Sequence, residues 1–179
     1  GFDFPYIKTR ADKYKLKMDL GLDYSELDAG KKTDFREGKT KITGILHLDV
    51  FKFIRNIFGK NLNTESYSLD AVSKELLGNR KHDIKISELA QAWDNNSEEL
   101  EDFCEYNLQD AHLTLKLCQK LMYDMIEFSK IVNLPLFDVI RMKFSKLVES
   151  YIMKRTIEYN VLAPNRPGRN EIEQRMEET

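Results

Sequence analysis

Tyr106 and Asp110 sit four residues apart in the stretch 97–120, SEELEDFCEYNLQDAHLTLKLCQK. On a helix that spacing stacks a phenol one turn from a carboxylate. A carboxylate can ligate a hard cation or accept from a donor, and a phenol beside it can hydrogen-bond whatever it holds. An ionised acid taken out of water needs such a partner, because an unpaired buried carboxylate is costly. The partner is a metal ion, a donor or water at a cleft mouth; the simplest alternative is a half-exposed acid on an amphipathic helix.

The element that must position the pair is a long helix. Ser97 suits the N-cap, Glu98 and Glu99 put negative charge where the helix dipole favours it, and neither Pro nor Gly interrupts the run that follows. Helical periodicity places Leu100, Phe103, Cys104, Ala111, Leu115, Cys118 and Met122 on one stripe, which is expected to face the core. A second stripe carries Tyr106, Asp110, Leu113 and Leu117 beside it.

The 179 residues fit one domain with or without an appendage, and 41% apolar content allows a sizeable core. A net charge of −2 gives no global pull on nucleic acid, so any such contact must come from a local patch or from metal ions. Cys104 and Cys118 read as buried thiols of a reducing, cytoplasmic setting, and neither has a second Cys or a His at zinc-ligand spacing. No apolar run approaches membrane-spanning length, and no membrane partner is expected. The opening at Gly1, directly in GFDFPY, suggests a piece of a longer polypeptide.

Asp3 suits an N-cap, with Pro5 in the first turn and Phe2 and Ile7 as a hydrophobic staple, so a helix is expected to about Lys15. Residues 40–50 (TKITGILHLDV) read as a strand, the second arm of a hairpin begun near Met18–Leu22. On it, Asp49 is expected as a solvated strand-end acid and His47 as a packed or hydrogen-bonded side chain. A short helix Phe51–Phe58 closed by Gly59, a helix capped by Ser68 and ended by Gly78, a basic loop 79–85 and a helix from Ser87 to Trp93 follow. Leu134-Pro135 breaks the long helix, Ile140–Tyr159 carries a second apolar stripe, and 163–168 is a proline-rich connector.

Several of these segments resemble, in order, the 3′–5′ exonuclease region of archaeal-type family B DNA polymerases. GFDFPY (1–6) resembles the second exonuclease motif, and GILHLDVFKFIR (44–55) the strand and helix after its hairpin. YSLDAV (67–72), LLG (76–78) and ELAQAW (88–93) resemble the segments that follow, and YNLQD (106–110) fits the third motif, Tyr-x-x-x-Asp. LVESYIMKRTIEYNVLAPNRP (147–167) is similar to the helix and connector that enter the polymerase palm.

The resemblance implies an α/β, ribonuclease H-like fold, helix-rich and incomplete at its N-terminal strands. It divides the chain into the C-terminal part of the exonuclease domain, 1–133, and a connector, 134–179. The family's chemistry is proofreading: phosphodiester hydrolysis at mispaired 3′ ends, assisted by two Mg2+ or Mn2+ ions. By position, Asp110 would be the direct metal ligand and Asp3 would hold the second ion through water. Tyr106 would orient the nucleophile. Partners implied are DNA with a single-stranded 3′ end, dNTPs and the remaining polymerase domains. The first motif, an Asp-x-Glu pair, has no counterpart in this sequence, so the isolated chain is expected to be inactive or nearly so. A sheet edge left open beside 40–50 would favour a homodimer or strand exchange. The alternative reading is a catalytically decayed scaffold of a polymerase.

Overall fold

The structure, a computed structural model, describes residues 3–30, 39–59, 61–64, 66–78, 86–95, 98–165 and 167–168. Ser97, Phe2 and the basic loop 79–85 lie outside these residues. The elements run α1 (Asp3–Lys13), β1 (Asp28–Ala29), β2 (Thr40–Lys41), α2 (Val50–Phe53) continuing as a π-helical turn (Ile54–Phe58), α3 (Leu69–Leu77), a 3-10 turn (Ile86–Glu88), α4 (Leu89–Asn95), α5 (Glu99–Val132), α6 (Leu136–Val139) and α7 (Phe144–Glu158). The fold is helix-rich with few strands, in keeping with a partial α/β domain.

α5 is the spine. Its buried residues are Leu113, Leu117, Leu121, Met125 and Val132, spaced by fours and then by seven, which keeps them on one face. Against Leu117, Leu121 and Met125 pack Val50, Phe53 and Ile54 of the α2 segment, Val72 of α3 and Ile140 after α6, while Val132 joins Val139 and Leu147 in a second apolar cluster. Phe53 makes edge-to-face contacts with Phe58 and Phe128, at centroid distances of 5.8 and 6.1 Å. This corrects the expected core stripe. Leu115 is 54% exposed and Leu117 2%, so the core lies on the stripe that Tyr106 and Asp110 head, not on its neighbour. Both stripes have helical periodicity; the partners available on α2 and α3 chose between them. Cys104 is accordingly exposed rather than buried, while partial burial pushes the Cys118 thiol up.

The strand expected over 40–50 shortens to β2, whose register pairs Asp28 with Lys41 and Ala29 with Thr40, antiparallel. The strand partner is therefore 28–29, while 18–22 contributes the Leu22 N–H, which donates to the Thr43 carbonyl at 2.9 Å. A turn at Thr43-Gly44, with Gly44 at φ +77°, ends the extended run. Asp49 then leaves the strand altogether: its Oδ1 accepts from the Lys52 backbone N–H at 3.0 Å and caps α2. The edge on which self-association was expected to rest is thus two residues long.

Other local signals hold as read. Ser68 Oγ accepts from the Ala71 N–H at 3.3 Å, and Gly78, left-handed at φ +71°, donates its N–H to the Lys74 carbonyl. Gly59 differs: its φ is −51°, so no left-handed cap is present. Glycine serves there because a Cβ would stand 2.7 Å from the Tyr67 Oη, which donates to the Gly59 carbonyl, and 2.6 Å from the Arg55 carbonyl oxygen. Asn133, left-handed at φ 58°, ends α5, and Leu134-Pro135 turns the chain into α6. The apolar stripe from 140 is split: Ile140 is wholly buried beside α6, and α7 starts only at Phe144.

Candidate nuclease site

Tyr106 and Asp110 lie one turn apart on α5, both half-buried, directly N-terminal to the buried run Leu113–Leu117–Leu121. The Asp110 Oδ1 atom is fully buried. The backbone beneath the pair is fixed by the core below it, and the Thr114 hydroxyl donates to the Asp110 carbonyl at 2.9 Å within the helix. The pair therefore stands on a rigid platform, where a ligand gains most from fixed geometry.

Asp3 is placed differently. It opens α1 and is exposed. α1 is held by buried Ala11, by ion pairs of Lys8 with Asp12 and Glu26, and at its first turn by Phe4. The Phe4 ring meets His47 edge-on, with centroids 5.2 Å apart and planes at 78°. His47 thus is a packed, hydrogen-bonded histidine, as its position suggested.

Around His47 the structure gathers a group that sequence reasoning missed. Arg141, in the turn between α6 and α7, donates from Nη2 to the His47 carbonyl at 3.0 Å and lies 3.3 Å from His47 Nδ1. Its Nη1 donates to the Phe137 carbonyl at 2.9 Å, and the guanidinium stacks 3.8 Å from the Phe137 ring centroid. Burial lowers the Arg141 pKa, against the pull of Asp49 and Asp138. Burial, then the nearby Arg141 charge, lowers that of His47. No local pattern announces a contact between residues 94 apart in sequence.

Asp110 and Asp3 offer the hard oxygen donors that Mg2+ or Mn2+ prefers, so they fit such ions in kind. They fall short in number: among the described residues no three His, Cys, Asp or Glu side chains gather as a metal site. Two carboxylates do not supply a pair of such ions.

Residues 1–72 match the model of the exonuclease domain of family B DNA polymerases. Over these residues the chain is similar to that domain. The likeness continues far beyond them. A DNA polymerase of Pyrococcus horikoshii is 34% identical over 178 residues, 99% of this chain and 14% of the relative's length. DNA polymerase 1 of Pyrococcus abyssi is 33% identical over 178 residues, 99% of this chain and 22% of its own. A DNA polymerase of Methanocaldococcus jannaschii is 34% identical over 175 residues, 98% of this chain and 10% of its own. The chain thus spans about a fifth or less of the length of these DNA polymerases. Asp3 falls inside the exonuclease-domain match; Tyr106 and Asp110 lie past it, within the stretch similar to the relatives.

Proposed function

We propose that this chain supplies part of the proofreading 3′–5′ exonuclease site of a family B DNA polymerase, built on a ribonuclease H-like domain. Asp110 and Asp3 are the carboxylates that would hold divalent ions, and Tyr106 orients the attacking water. Mg2+ or Mn2+, two ions in a complete site, would supply water activation and charge stabilisation at the scissile phosphodiester. The observation that carries the reading is the phenol–carboxylate pair, half-buried one turn apart at the head of the α5 core stripe. A half-buried position removes competing water while leaving one side open to a ligand. The match of residues 1–72 to the exonuclease domain supports the same role for Asp3.

The substrate would be a single-stranded 3′ end of DNA, with dNTPs used by the rest of such a polymerase. With a net charge of −2, this chain brings no strong field of its own to DNA, so the neighbouring polymerase domains would provide most phosphate contacts.

The test exchanges residues 1–133 for the matching segment of Pyrococcus abyssi DNA polymerase 1 and follows digestion of a mispaired 3′ end. The chimera should digest. Asp110→Ala should lower digestion by at least the ~10–100-fold that loss of a ligand's supporting partner costs. Undiminished digestion in Asp110→Ala would refute the assignment. A chimera that extends primers and never digests would favour the decayed scaffold.

A further inference from the structure

We infer that Arg141 and His47 are positioning residues for Asp3, holding the first turn of α1 in place from the far end of the chain. This rests on the reading of Asp3 as part of the exonuclease site.

Asp3 is exposed, and its neighbours Phe4 and Pro5 are half-buried. The surface Phe4 rests on is the His47 imidazole, 5.2 Å away and edge-on. His47 lies in the irregular run between the Gly44 turn and α2, where its ring meets the Thr40 backbone but no ladder of backbone bonds fixes the chain. Arg141 takes that part: one guanidinium nitrogen donates to the His47 carbonyl at 3.0 Å and stands 3.3 Å from Nδ1. Donation to Nδ1 requires the neutral ring with its hydrogen on Nε2, and so fixes tautomer and ring orientation together.

Arg141 is itself held on several sides. The Asn56 amide donates to its carbonyl at 3.4 Å, and its guanidinium lies flat on Phe137 at 3.8 Å. Phe137 is approached by Lys41 at 5.6 Å, and Lys39 pairs with Asp138 at 3.6 Å. Segment 136–142 is therefore clasped to segment 39–58, and the clasp ends at the turn bearing Asp3. A lysine cannot replace Arg141, because one ammonium cannot reach two carbonyls and stack on a ring at once.

Two measurements test this. Hydrogen exchange on this chain should speed up about tenfold at the α1 amides of residues 7–13 in Arg141→Lys and His47→Leu, with α5 unchanged. In the chimeric polymerase, extended to carry residues 1–179, Arg141→Lys should lower 3′-end digestion about tenfold. His47→Asn, which keeps an acceptor, should recover part of what His47→Leu loses. The same Arg141→Lys change made on Asp3→Asn should cost nothing further, since it acts through Asp3. Unchanged exchange in α1, or an Arg141→Lys loss that adds in full to that of Asp3→Asn, overturns the inference. Should Asp3→Asn digest normally, the Asp3 role fails first and takes the inference with it. Should Asp3→Asn fail to digest while Arg141→Lys matches the parent, only the inference falls.

Discussion

At the residue scale, the candidate site divides between groups that would touch substrate and groups that hold them. Tyr106 contributes one hydroxyl at a half-buried place, so Tyr106→Phe removes that hydroxyl and little volume. Digestion by the chimera should fall toward the lower end of ~10–100-fold, less than for Asp110→Ala. Equal losses for the two would make the phenol more than an orienting group. His47 gives a pH prediction. Its ordinary pKa is 6.5, and burial followed by Arg141 lowers it in the fold. Above 6.5 the ring is neutral both folded and unfolded, and its stabilising contacts are intact. As pH falls through 6.5 the unfolded chain binds the proton first, so stability drops towards the lower folded value. The urea midpoint of the parent should therefore fall between pH 7.5 and 5.5 more than that of His47→Leu. Parallel curves would show that the clasp does not depend on a neutral ring.

At the scale of elements, α5 decides most. Its apolar residues wrap far round the helix, and the stripe running down from Tyr106 and Asp110 is the one that α2 and α3 cover. Leu117→Ala should cost about 2–5 kcal/mol, the usual result of truncating a buried leucine. Leu115→Ala, on the stripe the periodicity favoured, should stay within about 0.5 kcal/mol, because that side chain is 54% exposed. Urea denaturation distinguishes the two directly. The short elements follow a different logic. Residues 40–50 are β-branched and apolar, yet Gly44 turns the chain and Asp49 caps a helix, so only Thr40 and Lys41 keep strand pairing. A capping carboxylate and a strand-end carboxylate look alike in sequence, and only the position of the Lys52 N–H separates them.

At the scale of the whole molecule, the donor set is short of what a pair of hard cations needs. Calorimetric titration of this chain with Mg2+ should show binding weaker than about 1 mM, and 3′-end digestion by the chain alone should be negligible. Robust digestion abolished by Asp110→Ala would sink that expectation. What the sequence settled alone was local: the caps at Ser68 and Gly78, the break at Leu134-Pro135, the spine helix and the Tyr-x-x-x-Asp spacing. It also carried the resemblance of the opening segments to the exonuclease domain, which the family match over residues 1–72 bears out. Each of these depends on neighbours a few residues apart, which the chain order fixes. Tertiary structure decided which of two apolar stripes is core, how little of 40–50 is strand, and that Arg141 reaches His47. Those outcomes turn on which surfaces compete for burial and on contacts across ninety-odd residues, and helical or strand periodicity holds no record of either.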